Sequence, residues 1–128
     1  MSTALSAFTN QLLNLIKNLS EMYPSDPDIQ FTNTTVNFLK SSNPRKLQKI
    51  FEEYVKQYET QIMKKDENFL LNNNFIEDNK DLSHDEKQVD YAETIIDNLR
   101  KYWKDMDEES KENIWKYLQV LLILSNKC

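Results

Sequence analysis

The residues able to do chemistry are few, and their spacing argues against most reactions. The single histidine, His84, lies within Ser83-His84-Asp85-Glu86. In that pattern Ser83 accepts from the third amide of a helix while Glu86 reaches back to the amide of Ser83, so His84 reads as a solvated helix-start residue rather than a general base or metal ligand. The single cysteine, Cys128, follows Lys127 and reads as a free thiol with no base beside it. Nucleophilic catalysis needs a nucleophile with a base in reach, and the pattern offers no such pair. The densest acidic cluster is Asp105, Asp107, Glu108, Glu109 and Glu112. Hard cations take several carboxylate oxygens, which keeps a divalent-metal-dependent enzyme as the remotest reading. The simpler account is that Asp107 caps a helix whose first turn holds Glu108 and Glu109, where the helix dipole favours negative charge. No metal, cofactor or small-molecule substrate is expected.

Binding chemistry has more to work with. Arg45, Lys46 and Lys49, with Lys40 nearby, form the one basic spot and could serve as a partner's electrostatic landing point. Among the aromatic residues on or beside helical stripes, Tyr102, Trp103 and Trp115 each adjoin another ring or a charged face. They are the candidates for anchoring a protein partner, since large rings dominate interface energetics. Residues 66–112 hold 15 acids and 6 bases. A surface of that sign repels phosphate, so no nucleic-acid binding is expected.

Composition limits the folds that can carry these groups. Glycine is absent from all 128 residues, which removes the usual source of positive φ in tight hairpins and phosphate-cradling loops. Helices follow by default, and the P-loop, the dinucleotide fingerprint, the nucleophile elbow and the EF-hand loop are excluded. A lone cysteine gives no internal disulfide, and the opening Met1-Ser2-Thr3-Ala4-Leu5 has no positive region before an apolar block. A cytoplasmic, non-secreted protein is expected.

The expected architecture is all-α: a single helical domain over 1–128, built as a five-helix bundle with the C-terminal helix central. Leu5, Phe8, Leu12, Leu15, Ile16 and Leu19 define a stripe on a helix at 3–22. Pro24 ends it, and Asp26-Pro27 starts a helix at 27–40 with Ile29, Thr32, Val36 and Leu39 inward. Asn43-Pro44 starts a third at 44–64, with Leu47, Ile50, Phe51, Tyr54, Val55, Tyr58 and Ile62 on one face. A main loop at about 72–83 precedes a helix at 84–105 carrying Val89, Ala92, Ile95, Ile96, Leu99, Tyr102 and Trp103. The last helix, 108–125, is apolar on every side from about Tyr117 to Leu124, which implies burial all round. That run is about half the ~20 residues of a bilayer span, so no membrane span is expected.

Two stretches resemble small all-α proteins of nucleocytoplasmic large DNA viruses. One runs from Asn43-Pro44-Arg45-Lys46-Leu47 through Ile50-Phe51-Glu52-Glu53-Tyr54-Val55 to Lys65-Asp66-Glu67-Asn68-Phe69-Leu70; the other is Lys111-Glu112-Asn113-Ile114-Trp115-Lys116-Tyr117-Leu118-Gln119-Val120-Leu121. The resemblance implies a viral protein made in the host cytoplasm and associated with the virion, such as a minor capsid-type component, with no enzymatic activity and no family site residues. The expected function is a non-enzymatic protein-interaction or structural module, with self-association or a protein partner. The alternative is a regulator of a host partner that offers a helical groove, as cell-death regulators do.

Overall fold

A computed structural model describes residues 3–68 and 95–128, and every regular element among them is helical. The expected loop at 72–83, the Ser83–Glu86 capping box with His84, and Val89 and Ala92 of the fourth helix lie outside the described residues. Helix α1 spans Thr3–Met22, α2 Pro27–Ser42, α3 Pro44–Tyr54 and α4 Glu59–Met63. Residues 95–102 are helical (α5) and run into a 3₁₀ turn at Trp103–Asp105; α6 spans Glu108–Asn126.

Side chains start each of three helices. Asp26 Oδ1 accepts from the amides of Asp28 at 2.9 Å and Ile29 at 3.3 Å, with Pro27 opening α2. Asn43 works in both directions: its amide donates to Leu39 O at 2.7 Å, closing α2, and its side chain accepts from Lys46 N at 3.2 Å, opening α3. Asp107 Oδ1 accepts from Ser110 N at 2.7 Å, which spends one carboxylate of the acidic cluster on a helix cap.

The predicted faces turn inward. On α1 all six residues of the stripe are buried, joined by Thr9, whose hydroxyl donates to Leu5 O at 2.8 Å. Ile29, Thr32 and Val36 of α2 are buried; so are Leu47, Ile50, Phe51, Val55, Tyr58 and Ile62, and Ile95, Ile96 and Leu99 of α5. With Leu118, Leu121 and Leu122 of α6 the apolar residues of this set other than Leu5 form one cluster. Each fully buried aliphatic or aromatic side chain contributes roughly 1.5–3 kcal/mol by leaving water. α1 packs against α2, α3 and α6, while α4 packs against α6. The Phe8 and Phe51 rings meet edge to face at 5.2 Å.

Two expectations are corrected. The helix expected at 44–64 is interrupted: after Tyr54 the chain overwinds into a 3₁₀ turn at Lys56–Tyr58 and resumes as α4. A 3₁₀ turn eclipses positions three apart. The tightening therefore keeps Val55 and Tyr58 inward together and carries Ile62 onto the side that meets α6. The last helix is not buried on every side either, because Val120 is 37% and Ile123 46% exposed. Among the described residues no helix is long and apolar enough to cross a membrane.

α4 ends in a Schellman motif, with Lys65 N–H donating to Ile62 O at 3.1 Å and Asp66 N–H to Gln61 O at 2.8 Å. The left-handed position, where glycine is usual, is filled by Lys65 at φ 57°. Leu121 is fully enclosed, so Leu121→Asp places an unpaired charge in the core. The expected outcome is loss of the cooperative thermal transition by circular dichroism, whereas Leu121→Ala unfolds cooperatively but costs about 2–5 kcal/mol in urea denaturation.

Candidate functional site

A groove of about 520 Å³ lies between α1 and α6. Its floor is apolar, formed by Leu15 and Leu19 of α1 and Ile114 of α6, all three buried. Its rim carries exposed Met22 and Val120 and the neutral side chains of Gln11, Asn18, Ser110 and Asn113; Glu21 and Lys116 are its only charges. The Asn18 amide donates to the Tyr117 hydroxyl oxygen at 2.6 Å, linking the two walls. Its size falls within the range of ligand-binding clefts, and the lining holds neither a carboxylate pair nor a histidine.

A second hollow, of about 300 Å³, lies where the α1–α2 turn meets the end of α5. Asp26 is buried there. Its Oδ1 caps α2, and its Oδ2 accepts from the Tyr102 hydroxyl and, at 3.3 Å, from Lys101 Nζ. The Tyr102 ring stacks on Tyr23 with centroids 3.8 Å apart. The Tyr102 hydrogen bond, with the backbone and Lys101 donors, holds the Asp26 carboxyl below its ordinary pKa against the opposing effect of burial. The same bond, with burial, raises the Tyr102 phenol; burial, helped by the nearby Tyr102, Asp105 and Asp107, raises Tyr23. A carboxylate that already accepts four hydrogen bonds, facing a phenol locked as donor, holds helices together and has no lone pair free for proton transfer.

The candidate anchors divide. Trp103 is 1% exposed and Trp115 is buried; their rings meet edge to face at 5.2 Å. The Trp103 indole N–H donates to Glu67, and Lys111 Nζ lies 5.6 Å from its ring. Both tryptophans are therefore core residues, which removes them as surface anchors. Tyr102 is half-buried and engaged with Asp26. On α3, Arg45 and Lys49 are exposed and Lys46 is half-buried; none of the three lines the groove. In the acidic cluster, Glu112 pairs with Lys65, and Glu108 lies 3.7 Å from Lys111. Among the described residues no three His, Cys, Asp or Glu side chains are grouped to hold a metal ion.

Sequence reasoning left out Phe31 and Phe38, which are 62% and 68% exposed. Their signal was available: they stand seven residues apart, off the stripe of Ile29, Thr32, Val36 and Leu39. The groove had no such signal, since it depends on how far apart two distant helices come to rest.

Comparison with protein-family models, with curated proteins and with solved structures returned no match to this chain. The resemblance to small viral helical proteins stands on its two sequence stretches alone.

The Asp26 clasp sets a pH dependence. A carboxyl whose folded pKa lies below its unfolded value, about 3.9, stabilises the fold fully above that value. The contribution is lost as pH falls through the folded pKa. Tyr102 works in the opposite sense: its raised pKa contributes fully below about pH 10 and is lost as pH rises through the folded value. Tyr102→Phe should cost about 1–3 kcal/mol at pH 7 by leaving a buried carboxylate short of a donor. Asp26→Asn should flatten the acid limb below about pH 4, both read from urea unfolding as a function of pH.

Proposed function

We propose that the protein is a non-enzymatic interaction module that holds one amphipathic helix of a protein partner in the groove between α1 and α6. The observation that carries this reading is a groove floored by the buried side chains of Leu15, Leu19 and Ile114 and edged by exposed Met22 and Val120. The lining runs from Gln11 to Met22 along α1 and from Ser110 to Val120 along α6. At 1.5 Å per residue, that is about three turns of a bound helix. Charge refines the partner. With only Glu21 and Lys116 at the rim, the inserted face is apolar with neutral polar flanks, and the helix places one cation near Glu21 and one anion near Lys116. A small-molecule ligand of drug size would also fit the volume, but an open trough between two helices suits an elongated apolar ridge better.

Within the viral setting that the resemblance implies, the partner is a virion component or a host protein. Arg45, Lys46 and Lys49 act outside the groove, steering an acidic partner during encounter. Charge reversal there slows association and weakens its salt dependence, while dissociation is unchanged.

The test is selection of displayed helical peptides by the full chain, followed by amide shift mapping. Selected peptides should share apolar residues at i, i+3 or i+4, and i+7, and should shift Met22, Tyr117 and Val120. Val120→Glu should weaken them at least tenfold with an unchanged melting temperature, because Val120 is already partly exposed. Selected peptides that shift other surfaces, or whose binding survives Val120→Glu, would sink the reading.

A further inference from the structure

We infer that a second copy of this chain docks on the outer face of α2, with two α2 helices apposed antiparallel across a two-fold axis at the level of Thr34 and Thr35. This is independent of the groove, whose walls are α1 and α6. α2 has two apolar sides. Ile29, Thr32, Val36 and Leu39 face the core. Phe31 and Phe38 lie roughly 120° around the helix at 100° per residue. They are the two most exposed large hydrophobic side chains among the described residues. Thr34, Asn37 and Ser41, which complete that outward surface, are exposed and uncharged. Charge depletion with aromatic enrichment is what separates an interface core from ordinary surface.

Symmetry and charge identify the occupant. A two-fold contact requires a patch complementary to itself. Positions 31 and 38 are equidistant from the midpoint between Thr34 and Thr35. Antiparallel apposition therefore sets each Phe31 against Phe38 of the other copy, with small threonines where the helices cross. Two copies with net charge −5 repel over most of their surface. Only five of the first 42 residues are charged, namely Lys17, Glu21, Asp26, Asp28 and Lys40, against 32 of the remaining 86. The α1–α2 hairpin is thus where a like-charged copy approaches at least electrostatic cost.

Area sets the strength. One pair of 16-residue helices, about 24 Å long, covers less than the ~800 Å² per partner of a standard interface. The dimer is therefore weak and reversible, populated only at high protein concentration.

Sedimentation velocity of the full chain tests this, under reducing conditions because Cys128 is exposed and free. The weight-average mass should rise from 15.3 kDa toward twice that value between roughly 10 µM and 1 mM. Added salt should strengthen the association by screening the net charge. Phe38→Asp should hold the protein monomeric with an unchanged melting temperature. In a Cys128→Ser background, Thr34→Cys should give an intermolecular disulfide on mild oxidation, and Thr60→Cys, exposed on α4, should not. A wild type that stays at 15.3 kDa throughout overturns the proposal. So does a dimer that survives Phe38→Asp, or one abolished by Val120→Glu instead, which would place the contact in the groove.

Discussion

Every chain reversal in this protein has to be made without glycine, and the rest of the described structure depends on how that is done. Among the described residues a left-handed residue is needed only once, at Lys65, where a lysine accepts the steric cost that glycine would avoid. The starts of α2, α3 and α6 are instead closed by the side chains of Asp26, Asn43 and Asp107. A capping side chain, unlike a glycine, brings a charge or an amide with it. Asp26 shows the consequence: one carboxylate oxygen caps α2 and the other holds Tyr102 and Lys101 at the end of α5. Local chain reversal and long-range packing are the same interaction there, so the direction in which α2 leaves α1 is fixed against α5.

That direction determines which surfaces remain open. α1 lies against α2, α3 and α6, with its stripe from Leu5 to Leu19 buried among them. α6 is pinned along its other side: Gln119 donates to the terminal carbonyls of α4 at 3.2 and 3.4 Å, and the buried Gln48 of α3 donates to Ser125 at 3.1 Å. α6 also packs along α1. Val120 is left at the open edge, and the groove is the space that remains.

Much of this was legible because it is local. Pro27 after Asp26, Pro44 after Asn43, and Asp107 before two glutamates each announce a helix start by chemistry within four residues, and all three starts are where that chemistry puts them. The inward faces of α1 and α3 follow from period alone. Three features were illegible for one shared reason, that each is settled by distant neighbours. The overwinding after Tyr54 answers to the approach of α6. The burial of Trp103 and Trp115 depends on their rings finding each other and on Glu67 meeting the indole N–H. The one-sided exposure of α6 reflects the hold of α3 and α4. Phe31 and Phe38 are a different case: the period was correct, but a second apolar side on a helix already supplied with a stripe was not read as surface.

The two open apolar surfaces are opposite in shape, and shape separates what they can hold. The groove is concave, walled by two helices and lined mostly by neutral groups, a shape that suits the convex helix proposed for it. The outer face of α2 is a convex ridge with two rings two turns apart. A ridge cannot enclose anything; it gains contact area only against another extended ridge whose rings fall beside its own. An identical helix running the other way meets that condition without any further specification, because the spacing of its rings is by definition the same. A concave site selects its partner through the partner's sequence, whereas a self-complementary ridge needs only a second copy at sufficient concentration. The groove lies between α1 and α6 and the ridge on α2, so the two proposed contacts do not compete for the same surface.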